Sequence, residues 1–89
     1  MKAILSVVSR DQIGIIAKVS TLLAENRVNI LDISQTVLRE YFTMIMLVDT
    51  GECPLQFTEL SKLLREEGEK HNMVIHIQRE DIFNAMHRI

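Results

Sequence analysis

Two segments of this chain, residues 2–9 (Lys-Ala-Ile-Leu-Ser-Val-Val-Ser) and 41–49 (Tyr-Phe-Thr-Met-Ile-Met-Leu-Val-Asp), are apolar on both of their alternating faces. A strand of that kind belongs in the middle of a sheet, where both faces are covered. The chain has 89 residues and 10.3 kDa in which to do this, which is one domain with one core. Its 47% hydrophobic and 25% charged residues are those of an ordinary globular chain and argue against disorder.

The remaining segments have one apolar side each. Ile15, Ile16, Val19, Leu22 and Leu23 recur at helical spacing, with Lys18, Ser20, Thr21 and Glu25 opposite. Asp11 reads as the N-cap of this helix, and Asn26 as the left-handed residue that ends it. Residues 28–38 are strand-like, with Leu31, Ile33, Gln35 and Val37 on one face. Ile30, Asp32, Ser34 and Thr36 form a mostly polar second face, the pattern of an edge strand. Arg39-Glu40 reads as a hairpin turn. Pro54 suits the first turn of a second helix whose stripe is Phe57, Leu60, Leu63 and Leu64, with Gly68 as its stop. Residues 73–78 form a last strand. Asp81 reads as the cap of a short C-terminal helix bearing Ile82, Phe83, Met86 and Ile89.

The order is β-α-β-β-α-β with a tail. This predicts an α+β, ferredoxin-like fold: a four-stranded antiparallel sheet with two helices on one face and a short C-terminal helix. The first and third strands are central in that topology, and they are the two that are apolar on both faces. The domain is expected over residues 1–80, with 81–89 as the tail. Helices cover only one face of such a sheet, so the tail stripe or a second subunit is expected on the other.

Charge and chemistry narrow the function. A net charge of −2 gives no basic footprint for nucleic acid. No apolar run reaches the ~18 residues of a membrane span, and the N-terminus reads as a strand, not a signal peptide, so a cytoplasmic location is expected. One cysteine, Cys53, excludes an internal disulfide and a Cys-rich metal site. His71, His76 and His87 lack ligand spacing, and no metal or other cofactor is expected. An RNA-recognition fold would need exposed aromatics on the central strands, and Phe42 alone does not supply them. A soft-metal carrier needs a Cys-x-x-Cys loop after the first strand, and an acylphosphatase-like enzyme needs a Gly-rich loop with an arginine; Arg10 and Gly14 are too little. A non-enzymatic module is expected.

The sharpest local feature is Gly14, at the junction of the first strand and first helix. Backbone N–H groups at a helix start attract carboxylates and phosphates, and glycine leaves them open to approach. The alternative is that Gly14 serves only the turn and close helix–sheet packing.

Asp11-Gln-Ile-Gly-Ile-Ile16, after a strand and opening a helix, resembles the Asp-Arg-Pro-Gly-Leu-Leu signature of ACT domains. Asn26-Arg-Val-Asn-Ile-Leu-Asp-Ile33 resembles the start of their second strand. The likeness spans residues 2–80 and is greatest to small stand-alone ACT-domain proteins, then to the ACT pairs of the glycine cleavage system repressor. It implies regulatory binding of an amino acid or similar small carboxylate where two domains meet. The ligand would lie between the strand–helix loop of one copy and the second strand of another. Asp11, Gly14 and Asn29 would face it, with Ile15 supplying the helix start and Ile30 alongside. Gln12 and Ile13 stand where the signature has Arg-Pro. The resemblance therefore implies a homo-oligomeric sensor, acting on a regulated protein. The alternative is a structural dimerisation or partner-docking module without a ligand.

Overall fold

The computed structural model describes residues 1–10 and 13–81. Six elements follow one another: β1 (Lys2–Ser9), α1 (Ile15–Glu25), β2 (Asn29–Leu38), β3 (Tyr41–Asp49), α2 (Phe57–Lys70) and β4 (Met73–Arg79). They form one antiparallel sheet in the order β2-β3-β1-β4. The doubly apolar segments are β1 and β3, and both are central. This is the ferredoxin-like topology expected from the element order.

Alternation decides what is buried. Leu5 and Val7 of β1, Met44 and Met46 of β3, and Ile75 and Ile77 of β4 turn inward. They pack with Val19 and Leu23 of α1 and with Leu60 and Leu64 of α2. Each such side chain contributes roughly 1.5–3 kcal/mol by leaving water. The other sheet face carries Val8, Ile45 and Val74 exposed.

Four local expectations are corrected. The left-handed residue after α1 is Arg27 (φ 59), not Asn26 (φ −99). The Val28 N–H reaches the Leu23 carbonyl at 2.9 Å and the Arg27 N–H reaches that of Ala24 at 3.0 Å. That pattern buries Val28 and assigns the left-handed position to the residue before it. Asn26 turns its side-chain amide onto the Leu22 carbonyl, 2.8 Å away.

Helix α2 starts at Phe57, beyond Pro54, because Gln56 and Glu59 form a reciprocal capping box. Gly68 does not stop α2. The helix runs on to Lys70, and Gly68 is buried where a Cβ would lie 2.9 Å from the Met73 carbonyl.

In β2 the register slips between Ile30 and Asp32, leaving Leu31 as a bulge. Ile30, not Leu31, therefore shares the helix side with Ile33, Gln35 and Val37. The expected helix at 82–89 lies outside the described residues.

Candidate functional site

Helix α1 opens at Gly14, which has φ 73 and ψ 7. A Cβ placed there would meet nothing within 4 Å, so the glycine is required by its left-handed backbone and not by crowding. Close helix–sheet packing is therefore not its role. The N-cap is Gly14 itself, three residues after Asp11, the expected cap; Asp11 and Gln12 lie outside the described residues. Among the described residues no side chain caps this end, and no acid sits in its first turn. Its N–H groups keep the partial positive charge of a helix start.

Around that opening the side chains divide. Ile15 turns into the core and can offer only its backbone N–H to a ligand. Ile13 is 84% exposed at the loop tip, and Ile16 is also exposed. At the loop's entry Arg10 donates to the Tyr41 hydroxyl at 3.2 Å and lies 5.4 Å from the centre of its ring. The hydrogen bond, and then the charge interaction with Tyr41, raise the guanidinium above its ordinary pKa. Local residue spacing carries no sign of this pair, since its members are 31 residues apart.

Asn29 and Ile30 stand elsewhere. Asn29 is level with Asp49 and Lys2, at the start of β1. The loop to Gly14 leaves the other end of β1, where Ser9 is level with Phe42 and Val37. The length of β1 separates them, about 24 Å at 3.4 Å per residue. Asn29 is exposed, whereas Ile30 is half-buried and packs on the core. Within one chain, Gly14 and Ile15 are together, Asn29 and Ile30 are together, and the two pairs are not.

Two further features can be set beside these. A groove of about 330 Å³ lies between the helices, lined by Lys18, Leu22, Glu25, Glu67, His71 and Met73 among others. Among the described residues no cluster of three or more His, Cys, Asp or Glu could hold a metal. No helix there is long and apolar enough to cross a membrane.

A family profile described as ACT domain matches residues 2–78. The chain belongs to the ACT domain family. Like this ACT domain, a UPF0237 protein of Clostridium acetobutylicum has 89 aligned residues; the two are 52% identical over all of both chains. A UPF0237 protein of Methanocaldococcus jannaschii is 47% identical over 99% of this chain and 98% of its own. Among solved structures, an ACT domain protein from Streptococcus pneumoniae superposes with a TM-score of 0.85. It is 48% identical, with 98% of each chain covered. A putative glycine cleavage system transcriptional repressor shares the fold at a TM-score of 0.73 and 23% identity, over 86% of this ACT domain and 44% of that chain.

Proposed function

We propose that this ACT domain is a non-catalytic regulatory module that binds an amino acid or similar small carboxylate between two copies of itself. The observation that carries the reading is the open start of α1 at Gly14, set at the opposite end of the sheet from Asn29. A zwitterion needs an anion site and a site for its ammonium. The N–H groups at Gly14 and Ile15 suit the carboxylate. The amide oxygen of Asn29 suits the ammonium, with Asp11 as a second acceptor and Ile30 as apolar support.

One chain cannot supply both, but two can. β2 is an edge strand, exposed along its length except for half-buried Ile30. Antiparallel pairing of β2 with its symmetry mate about Ile33 brings Asn29 of the second copy level with Val37. That is the level at which the first copy's β1 ends and its loop begins. The pairing would also satisfy the unpaired edge. Output would pass through the assembly, or through a protein that binds it. The exposed apolar residues of β2 favour the second reading, a dimerisation module without a ligand, if nothing binds.

Calorimetry against the proteinogenic amino acids tests the reading. Asn29→Ala removes a contact worth about 0.5–1.5 kcal/mol if neutral and about 1.5–3 kcal/mol if charged, a loss of roughly 2- to 150-fold in affinity. Complementation is sharper. Asn29→Ala and Gly14→Val, each deficient alone, should regain one intact site per mixed dimer. No recovery on mixing would place both residues in one site of one chain or in none. No binding by the wild type to any amino acid leaves the dimerisation module.

A further inference from the structure

We infer that the valley between the two helices is the docking site of this chain's own C-terminal segment, residues 82–89, with Phe83 and Met86 as its anchors. The groove of about 330 Å³ has Leu22 and Glu25 on its α1 wall and Glu67 on its α2 wall. Glu67 also borders a second hollow, which continues along α2 past Leu63 to Leu55. Leu22, Leu55 and Leu63 are partly buried and pack on the core, so the valley is apolar at its base. It lies on the helix side of the sheet, not on the helix-free face where the residue pattern alone places the tail. The inference does not depend on a ligand at Gly14.

Position, length and charge each point to this occupant. β4 ends at Arg79, level with Ala3. Asn29, which follows α1, and Asp49, from which the chain leaves for α2, are both at the Lys2 end of the sheet. The valley therefore opens at the end where the chain leaves β4, and Glu80 and Asp81 are already helical there. Four strands at ~4.8 Å make a sheet about 15 Å broad, within reach of eight residues. Lys18 and Glu25 are two turns apart on α1, about 10.5 Å at 1.5 Å per residue, and Ile82 and Ile89 have the same spacing. A helix continued from Asp81 would turn Ile82, Phe83, Met86 and Ile89 to one side. Charge then selects the face. Residues 82–89 contain His87 and Arg88 and no acid. The valley walls carry Glu25, Glu59, Glu66 and Glu67 against Lys18 and Lys62. No side-chain partner holds the Glu25 carboxylate among the described residues. On the helix-free face, β1 presents Lys2, and Arg10 stands just beyond the strand. Asp49, the acid opposite Lys2, is already held by the Gly51 N–H and the Met1 ammonium. A cationic apolar helix is matched by the valley and opposed by the helix-free face.

Nitroxide broadening of amide resonances in the full chain tests it. The label goes on Asn84→Cys, opposite the apolar stripe at helical spacing, in a Cys53→Ser background. The expected result is selective broadening of the Lys18, Glu25 and Glu67 amides, with Val8, Ile45 and Val74 left sharp. Adding Phe83→Ser to the labelled chain should abolish that selectivity while the β1 and β3 resonances keep their positions. A labelled chain mixed with unlabelled, isotope-enriched wild type should leave the valley amides of the wild type sharp. Broadening of Val8, Ile45 and Val74 instead would put the tail on the helix-free face and overturn the inference. So would broadening that favours no surface, which means an undocked tail. Broadening of the valley in the mixture would assign it to the tail of a second copy, and would overturn docking within one chain.

Discussion

The two halves of the chain, β1-α1-β2 and β3-α2-β4, end their helices the same way and begin them differently. After α1 the C-cap is Asn26, then left-handed Arg27, then buried Val28; after α2 it is His71, then left-handed Asn72, then buried Met73. The Arg27 and Asn72 N–H groups reach back to Ala24 and Glu69 at 3.0 and 3.3 Å. At the other end α2 is closed by its own Gln56–Glu59 box, whereas α1 opens on a bare glycine. The strands that follow differ too: β4 buries every second residue, and β2 buries none fully. Both halves end on an edge strand, but the second closes its own helix start and buries one face of its edge strand. The first leaves its helix start open and its edge strand exposed, and this contrast underlies the proposed function.

The largest test of the contrast is truncation on each side of it. Leu64 is fully buried in α2, so Leu64→Ala should cost about 2–5 kcal/mol. Val37 of β2 is 55% exposed, and Val37→Ala should change the stability of a single chain by less than about 0.5 kcal/mol. Urea melts at two protein concentrations read both. A Val37→Ala loss that appears only at the higher concentration belongs to contact with another copy. Equal losses at Leu64 and Val37 in dilute solution would erase the contrast.

The glycines come next in size, because they fail for opposite reasons. Gly68→Ala drives a Cβ to 2.9 Å from the Met73 carbonyl and 3.0 Å from Ile75, so overpacking should cost about 1–3 kcal/mol. Gly14→Ala meets nothing but must hold φ at 73, which costs about 1–2 kcal/mol. Asn tolerates that backbone, so Gly14→Asn should recover much of the Gly14→Ala loss, while Gly68→Asn should be worse than Gly68→Ala. Thermal melts of the four variants check the order.

These positions also show what the sequence could and could not carry. Apolar residues on both faces of 2–9 and 41–49 marked the central strands, although only the helix side is buried and Val8 and Ile45 on the other face stay exposed. Gly14 was legible as special, but whether by space or by backbone angle was not. Gly68 looked like a helix stop because glycine is common there, and nothing local reveals the Met73 carbonyl pressing on it. Arg27 carries no turn preference, so its left-handed angle was invisible. The bulge at Leu31 was hidden because Ile30, Leu31 and Ile33 are all apolar and the hydropathy does not break. The separation of Gly14 from Asn29 follows from register, which residue spacing does not report.

The matched helix ends give a smaller test. Both left-handed residues pay for a conformation that glycine adopts freely, but asparagine tolerates it better than arginine. Arg27→Gly should therefore stabilise by about 0.5–1 kcal/mol, and Asn72→Gly by only a few tenths. Equal gains would mean that the two ends are held by something other than this shared backbone motif.

The smallest expected effect concerns the loops that lead into the two helices. The one into α2 is tied down by Asp49. Its carboxylate accepts the Gly51 N–H at 2.9 Å and lies 3.4 Å from the Met1 ammonium, while the Thr50 N–H reaches the Met1 carbonyl at 2.8 Å. The Gly51 hydrogen bond first, and the terminal ammonium second, lower the Asp49 pKa below its ordinary value. A depressed folded pKa means that the unfolded chain binds the proton first as pH falls. The contribution is therefore complete above the unfolded pKa and is lost as pH falls through the folded one. Asp49 is only half-buried, so the effect is modest and weakens with salt. Asp49→Asn should lower the melting temperature slightly at pH 7, and the gap from wild type should close as the pH falls below the carboxylate range. A gap that stays constant with pH would show that the loop into α2 is held by its backbone hydrogen bonds alone, and Asp49 would then drop out of the contrast between the two halves.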